Sequence, residues 1–259
     1  MLTTMNFASH TEGGSTDMIN AEVFREEIKK LIDHLYVSQK ENIEAAADIL
    51  SESIKNDGVI HVFGSGHSVG MGIDVSNRPG CLAPIHIMNM TDFVYKGGVS
   101  VEEFTDNVNV FERRPGMASK IYEIYDVRPQ DSFIIISNSG INGIVIDLAD
   151  LARKSGNKVI IITSMEHTLA EASRHPSGKK LYEFGNVVID NCGPHGDALL
   201  TTPGIGKVTA VSSICNNVVA QTMVLDVIEK LGGQGIEAPV LTGDKDHDDK
   251  LKEHYKGRI

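Results

Sequence analysis

Two short segments of the sequence place glycine and hydroxyl side chains directly after a run of apolar residues. The first is Gly64-Ser65-Gly66-His67-Ser68, and the second is Ser137-Asn138-Ser139-Gly140. Where a buried strand turns into a helix, hydroxyl groups and backbone N–H groups can together hold an anion at the N-terminus of that helix. Both segments therefore predict contacts to a phosphate group or a similar anion.

Two kinds of nucleotide site are excluded for the first segment. A P-loop requires a lysine directly after its last glycine, and here no lysine follows Gly64 until Lys96. A dinucleotide fold requires the spacing G-x-G-x-x-G and an acidic residue near the end of the second strand. Here the glycine spacing is G-x-G-x-x-x-G, and the second apolar run ends in Met88-Asn89. What remains is a turn that suits a single phosphate.

Five short apolar runs predict the strands that position these segments. They are residues 59–63, 84–88, 132–136, 158–162 and 186–190. Their apolar residues are continuous rather than alternating, which is typical of strands covered on both faces. Helical periodicity is found at 20–56 (two helices, or one with a break near Ser38), 142–154 and 207–231. This alternation predicts a doubly wound α/β fold with a parallel sheet and helices at both ends of the chain.

Ligands of such sheets bind beyond the carboxyl ends of the strands, so we expect both segments at one edge of the sheet. One segment would then bind the phosphate group and the other the hydroxyl groups of a sugar. An alternative stays open, because Ser, Asn and Gly after a strand are also common turn residues and helix caps. Two such segments at the same edge favour a ligand site.

Composition and charge limit the class of protein. The chain has 259 residues, of which 41% are hydrophobic and 23% charged, as is ordinary for a soluble globular protein. Its formal net charge of −11 argues against a nucleic-acid surface, which needs basic groups to neutralise phosphates. Three widely separated cysteines offer no disulfide framework and indicate a reducing, cytoplasmic location. No apolar run approaches the roughly 20 residues that span a membrane.

The segment boundaries are also predicted from composition. Residues 1–19 are expected to be a polar lead-in rather than a secretory signal, because no basic stretch precedes an apolar core. Residues 20–259 are expected to form a single domain. The sequence has no H-x-x-x-H pair and no clustered Cys/His run, so neither a metal nor another cofactor is predicted.

The two glycine- and serine-containing segments resemble the signature of the sugar isomerase (SIS) domain. The resemblance covers roughly residues 20–259 and is nearest to a subfamily related to phosphoheptose isomerase and N-acetylmuramic acid 6-phosphate etherase. It implies a flavodoxin-like, five-stranded parallel sheet sandwiched by helices, with a sugar phosphate as the ligand. It further implies a homodimer or homotetramer whose sites lie near subunit interfaces. Carried over by position, the resemblance implies that Ser65, Ser137 and Ser139 bind the phosphate.

The sequence departs from the family pattern at three positions. Asn142 stands where many SIS domains have threonine, and Asp74 stands where the subfamily usually has glutamate, with Arg78 retained after it. Pro115 stands where a second glutamate is expected after Glu112. These departures leave the assignment of the catalytic residues open.

Isomerisation of a sugar phosphate needs a base that takes the proton next to the carbonyl carbon, and a group that opens the ring or moves protons between oxygens. Glu112 and Asp74 are the candidates for the base, and for each the alternative is a surface ion pair with a neighbouring arginine. His195, paired with Asp197, is the candidate for ring opening or proton transfer. Its alternative is an exposed loop histidine.

The residues predicted to contact the substrate without acting as base are Ser65, His67, Ser68, Arg78, Ser137, Asn138, Ser139, Asn142, Asp197 and His247. His247 and Asp248 lie in a charged segment that either is solvated or completes the site of a neighbouring subunit.

We expect a phosphosugar isomerase of the phosphoheptose isomerase type, acting in carbohydrate metabolism. Two alternatives remain: a phosphosugar etherase or deaminase, and a non-catalytic phosphosugar-binding protein. A regulator of the latter kind normally carries a DNA-binding domain, and the helical region before the first strand is too short and too acidic for one.

Overall fold

The computed structural model describes residues 19–96, 98–106 and 110–259, so the predicted lead-in at 1–19 lies almost entirely outside the described residues. The helices are α1 (Ala21–Lys55), α2 (Val69–Asp74), α3 (Asp92–Tyr95), α4 (Val101–Phe104), α5 (Ala118–Ile124), α6 (Gly143–Lys154), α7 (Met165–Ala170), α8 (Ser212–Gly232) and α9 (Lys245–His254). The strands are β1 (Ile60–Gly64), β2 (Ile85–Met88), β3 (Ser132–Ile136), β4 (Lys158–Thr163), β5 (Val187–Asp190), β6 (Ala198–Thr202) and β7 (Gly206–Ala210).

The first five strands form one parallel sheet in the order β2-β1-β3-β4-β5. Every predicted apolar run overlaps one of them, which confirms the predicted α/β class. The chain runs outward in one direction from β1 to β2 and in the other from β3 to β5, so the strand order reverses between β1 and β3. Ligand sites of doubly wound sheets lie at this switch point, and both glycine- and serine-containing segments follow strands that flank it.

The sheet has an apolar core on each face, because neighbouring residues of a strand point to opposite sides. Val62 and Ile134 belong to the core that α1, α2 and α8 cover. Phe63 and Ile135, one position further along the same strands, belong to the core that α5 and α6 cover. β1 and β3 are buried along their whole length, as their continuous apolar sequence predicts.

α1 is a single unbroken helix, so both versions of the prediction, two helices or one long helix with a break near Ser38, are wrong. Asn20 caps it, its side-chain oxygen accepting from the amides of Glu22 (2.9 Å) and Val23 (3.0 Å). Its apolar face packs along α8, and Leu35 and Ile43 are buried there. The continuous apolar face explains why the helix does not break.

The helix predicted over 207–231 begins in the structure at Ser212, five residues later than predicted. Residues 206–210 instead form β7, which pairs antiparallel with β6, and helix α8 begins at Ser212. Gly204 and Gly206 have positive φ angles of 77° and 104°, which few other residues adopt, and they make the turn between the two strands.

The segment after α8 packs at the amino ends of the strands, opposite to the two predicted loops. Ala83, just before β2, donates a 2.7 Å hydrogen bond to the carbonyl of Pro239. Leu241 and Tyr255 bury side chains against Val59, just before β1. The charged C-terminal segment is therefore docked rather than solvated.

Candidate functional site

The first loop folds back tightly on the end of β1. A Cβ on Gly64 would lie 2.6 Å from the backbone of Ser68, and Gly66 has a φ of +57°. Both positions therefore require glycine, for close approach in one case and for a left-handed backbone in the other. The loop continues as a single 3-10 turn, Gly66–Ser68, into α2.

The polar side chains of this loop are not used to hold the fold. Within the described residues, the side chains of Ser65, His67 and Ser68 make no hydrogen bond. Ser65 is 8% exposed, but its hydroxyl is not among the fully buried polar atoms that lack a partner, unlike those of Ser51 and Ser132. The Ser65 hydroxyl is therefore accessible and unpaired, as a ligand contact requires.

The polar side chains of the second loop, residues 137–140, are of two kinds: two are hydrogen-bonded within the fold, and one has no partner in the described part of the chain. The Ser137 hydroxyl accepts from the Gly140 amide at 3.1 Å, and the side-chain oxygen of Asn138 accepts from the Asn191 amide group at 3.0 Å. The Ser137 contact is a turn contact of the kind that the alternative interpretation predicts, whereas the Asn138 contact ties this loop to the segment after β5. The Ser139 hydroxyl has no partner within the described part of the chain. Gly140 has a φ of +62°, and a Cβ there would lie 2.9 Å from the Thr168 hydroxyl.

Glu112 joins the two loops. One of its carboxylate oxygens, Oε1, accepts from the side-chain amide of Asn142 at 3.0 Å. The other, Oε2, lies 3.6 Å from the position that a Cβ on Gly66 would occupy. A Cβ on Gly143 would lie 2.7 Å from the carbonyl of Arg113, so the 3-10 turn Phe111–Arg113 sits closely on the N-terminus of α6. The half-buried Glu112 carboxylate thus lies between the loops that follow β1 and β3.

Asn142 has a second contact that the sequence did not indicate. Its side-chain oxygen accepts from the guanidinium of Arg174 at 2.8 Å. Asn142 is 6% exposed and its side chain does not cap α6, although it occupies the cap position. The Asn142 side chain therefore donates to Glu112 through its nitrogen and accepts from Arg174 through its oxygen.

Asp74 and Arg78 lie away from this centre. Asp74 is the last residue of α2, at the end opposite to the loop, and its carboxylate pairs with the Arg78 guanidinium at 2.5 Å. Both side chains are partly exposed, Arg78 by 57% and Asp74 by 35%. For Asp74, the alternative to a role as base was a surface ion pair with a neighbouring arginine, and the structure shows that ion pair.

The predicted pair of His195 and Asp197 is not formed. Asp197 instead caps α8: its carboxylate accepts from the Ser212 amide (2.7 Å) and from the Ser212 hydroxyl (2.9 Å). His195 pairs through Nε2 with Glu171, at 2.9 Å. The Asp197 carboxylate is thus engaged by the first residue of α8 rather than by His195.

His247 lies on α9, in the docked C-terminal segment. Its Nε2 is 3.0 Å from the carbonyl of Val240, and Asp248 accepts from the amides of Thr242 and Gly243. Within one chain, this places His247 at the amino ends of the strands, opposite to Glu112. Any contact of His247 with a loop site would have to come from another copy of the chain.

A buried charge network holds the C-terminal segment. Arg258 donates to both carboxylate oxygens of Asp131 at 2.8 and 2.7 Å, and His61 Nε2 lies 3.1 Å from Asp131. Burial raises the pKa of Asp131, but the hydrogen bonds from His61, the Val59 and Arg128 amides and Arg258 outweigh it and lower the pKa to about 2. This carboxylate is therefore ionised in the folded protein.

His86 extends this network on β2. Its Nδ1 lies 2.9 Å from Nδ1 of His61. Burial, together with the nearby His61, Lys96 and Arg258 side chains, lowers the pKa of His86 to about 3, although Asp131 opposes this. A cavity of about 550 Å³ lies beside His86, lined by β2 and by the C-terminal residues Lys252, Lys256 and Ile259. That cavity is on the strand edge of β2 and not at the two loops.

Comparison with known proteins agrees with this fold. A family model described as the SIS domain matches residues 23–164, more than half of the chain. UPF0309 protein lmo0025 of Listeria monocytogenes is 33% identical over 242 residues, which are 91% of this chain and 97% of the relative. UPF0309 protein TTE0306 of Caldanaerobacter subterraneus is 32% identical over 247 residues, 92% of this chain and 98% of the relative. The chain belongs to the SIS domain family and, within it, to the group that these UPF0309 relatives form.

Two solved structures share the fold. Phosphoheptose isomerase GmhA of Neisseria gonorrhoeae has a TM-score of 0.55 and 18% identity, covering 81% of this chain and 96% of that one. A phosphoheptose isomerase of Francisella tularensis has a TM-score of 0.51 and 16% identity, covering 81% and 95%. The predicted SIS fold is thereby confirmed. Among the described residues, no helix is both long and apolar enough to cross a membrane.

Proposed function

We propose that this protein is a sugar-phosphate isomerase in which the loops after β1 and β3 bind the phosphosugar and Glu112 is the base. The observation that supports this function most directly is the position of Glu112. Its carboxylate lies beside Gly66 of the first loop and is hydrogen-bonded to Asn142 at the end of the second. A base must lie within reach of the ligand that the loops would bind, and Glu112 lies beside both loops whereas Asp74 pairs with Arg78 at the far end of α2.

The anion would bind to unengaged hydroxyl groups. Ser65, Ser68 and Ser139 carry hydroxyls without a partner in the described part of the chain, and they follow two neighbouring strands. α6 adds the positive end of its dipole, since its cap residue Asn142 directs its side chain elsewhere. Ser137 and Asn138 would support the loop rather than the ligand, because each already has a partner within the fold.

The proposed step is a proton transfer. Glu112 takes the proton from the carbon next to the carbonyl, and the electron pair of the broken C–H bond forms the double bond of an enediol. The proton then returns to the neighbouring carbon, while a hydroxyl proton moves between the two oxygens. A half-buried carboxylate can perform the first and last parts. Asp74 is too far along α2, and bound to Arg78, to be the preferred base.

Two alternatives share the same site. An etherase or deaminase would begin with the same abstraction and then expel a leaving group. A non-catalytic phosphosugar-binding protein would use the loops alone. The two phosphoheptose isomerase structures share the fold at 18% and 16% identity, and the reaction therefore has to be argued from Glu112 rather than from them.

Proton NMR in heavy water separates these functions. The protein is incubated with hexose, hexosamine, N-acetylhexosamine and heptose phosphates, and with the same sugars lacking phosphate. An isomerase removes the signal next to the carbonyl of one phosphorylated sugar and yields a new sugar phosphate. Release of a leaving group would identify an etherase or deaminase. Line broadening without exchange in any sugar phosphate would contradict the isomerase and support a binding protein.

We place the protein in the cytoplasm as a homodimer or homotetramer. Tyr36, Val37 and Leu225 are 54%, 78% and 66% exposed on α1 and α8, and apolar side chains at such positions are suited to a subunit interface. Light scattering coupled to gel filtration measures the mass directly. A monomeric mass at micromolar concentration would contradict this assembly.

A further inference from the structure

Three side chains with metal-binding atoms meet beyond the carboxyl ends of β4 and β5. They are His167 and Glu171, on and just after α7, and His195, in the loop after β5. His195 Nε2 lies 2.9 Å from Glu171 Oε1, and the two imidazole rings are 4.9 Å apart at an angle of 68°. One donor atom from each of the three side chains lies within 4.8 Å of the other two.

The backbone that carries these side chains is fixed independently of them. The Ser164 hydroxyl caps α7 by accepting from the His167 amide at 3.1 Å, and it donates to the carbonyl of Gly193 at 2.6 Å. The amide of His195 donates to the carboxylate of Glu166 at 2.9 Å. α7 and the loop after β5 are thus tied together at two points. His167 and Glu171, four residues apart, face the same side, towards His195.

One polar atom in the group has no partner. Nδ1 of His167 is fully buried, and no group in the described part of the chain lies within hydrogen-bond distance of it. A buried polar atom without a partner destabilises the fold unless it interacts with a group that is not part of the chain, such as an ion or an ordered water. The geometry of the three side chains offers such an interaction.

We propose that His167, Glu171 and His195 bind a divalent transition metal ion, with zinc as the best fit. Two imidazoles and one carboxylate form a ligand set typical of zinc sites that keep a fourth position for an oxygen ligand. Magnesium and calcium prefer all-oxygen sets, so the two histidines disfavour them. The metal would replace the direct hydrogen bond between His195 and Glu171. The donor atoms would need to close from within 4.8 Å to the roughly 3.3 Å spacing of a tetrahedral site.

The metal site stands apart from the base. Glu112 and Asn142 are not among its ligands, so the binding of a metal here does not depend on what the two loops bind. The hydrogen bond between Asn138 and Asn191 nevertheless ties the loop after β3 to the segment that leads to His195. The oxygen ligand in the fourth position would be a water molecule. This proposal replaces the sequence-based expectation of no metal: the three ligands come from α7 and the loop after β5, so they form no H-x-x-x-H pair and no clustered Cys/His run.

Cobalt titration tests the site on the full chain. Protein freed of metal with a chelator is titrated with Co²⁺, whose visible absorption is intense when it is four- or five-coordinate. We expect one equivalent of Co²⁺ to produce this absorption and Zn²⁺ to abolish it by displacement. Glu171→Gln and His195→Ala should each weaken binding by more than about 100-fold, since even the loss of a group that only orients a metal ligand costs about 10- to 100-fold.

His254→Ala provides a matched control. His254 forms another exposed histidine–carboxylate pair, 2.6 Å from Asp57, far from the proposed ligands in the fold. This variant should bind Co²⁺ like the wild type. Circular dichroism and thermal unfolding of the metal-free variants confirm that all three fold. The proposal is overturned if Co²⁺ binds only at millimolar concentration, or if Glu171→Gln and His195→Ala bind it as tightly as His254→Ala does.

Discussion

The side-chain amide of Asn142 donates a 3.0 Å hydrogen bond to the carboxylate of Glu112. This contact joins the segment before α5 to the loop after β3, and the same carboxylate lies against Gly66 of the loop after β1. Three segments that are distant in the sequence thus share one carboxylate. This arrangement is the reason for proposing Glu112 as the base and the two loops as the anion site.

Glu112→Gln should abolish proton transfer and leave sugar-phosphate binding largely intact. The amide keeps the shape of the side chain but cannot take a proton, and loss of a general base costs about 10²- to 10⁴-fold in rate. Solvent exchange of the substrate proton, followed by NMR in heavy water, measures the rate. Asp74→Asn is the matched control, because Asp74 is the other candidate base. If Asp74→Asn lost more exchange than Glu112→Gln, Glu112 would not be the base.

Ser139→Ala should weaken binding of a sugar phosphate. A hydrogen bond to a charged group contributes about 1.5–3 kcal/mol, so the dissociation constant should rise about 10- to 100-fold. Isothermal titration calorimetry with a sugar phosphate that the wild type binds gives this constant. Ser119→Ala, at an exposed serine of α5, should leave it unchanged. Equal affinity of both variants would remove Ser139 from the site.

Gly66→Ala should disturb the first loop, whereas Gly70→Ala should not. Gly66 has a φ of +57°, a left-handed conformation that costs other residues roughly 1–2 kcal/mol, and its new Cβ would lie 3.6 Å from the Glu112 carboxylate. No atom lies within 4 Å of a Cβ on Gly70. Ligand affinity and thermal unfolding should both decline for Gly66→Ala alone. Wild-type behaviour of Gly66→Ala would show that the loop adapts and that its shape is not selected for the ligand.

The stability of the protein should fall as the pH falls from about 6.5 to 4.5, because of His86. The folded-state pKa of His86 is about 3, below the 6.5 of an exposed histidine, so in this range the unfolded chain binds a proton that the folded protein does not. The free energy of unfolding therefore decreases with falling pH, by up to about 1.4 kcal/mol per pH unit. Urea unfolding at several pH values measures this slope.

His86→Asn should reduce that slope, since asparagine does not titrate. His254→Asn serves as the control, because it removes a histidine whose side chain is 56% exposed rather than buried. An unchanged slope in His86→Asn would assign the pH dependence to other groups. Below about pH 4, protonation of Asp131, whose folded-state pKa is about 2, should remove further stability in both variants.

Much of the fold and part of the site could be predicted from the sequence. The buried strands were predicted because Phe133–Ile136 and the other apolar runs are continuous, and the shared edge of the two loops follows from parallel strands. Glu112 was predicted from its place between β2 and β3. The role of Asn142 was not, because a residue before a helix is expected to cap it and this one instead binds Glu112 and Arg174.

The remaining misses have physical causes. The proposed metal ligands Glu171 and His167 have no local signal in the sequence, because α7 has only six residues and no apolar period. The spacing of Val208 and Val211 predicts a helix over the residues of β7. Gly204 and Gly206, which have positive φ angles, instead turn the chain back into a strand. The docking of the C-terminal segment depends on the ion pair between Arg258 and Asp131, which are 127 positions apart. Local sequence patterns do not predict a contact between residues so far apart.

The central claim, that both loops and Glu112 form one phosphosugar site, is tested most directly by amide chemical shifts. Isotope-labelled protein is titrated with the sugar phosphates named above and with inorganic phosphate. We expect the amide signals of Gly66, Ser139 and Glu112 to move together, while that of Gly257, beside the cavity at β2, stays still. Movement confined to Gly257 and its neighbours, with the loop signals unchanged, would contradict the account and place the ligand at the opposite edge of the sheet.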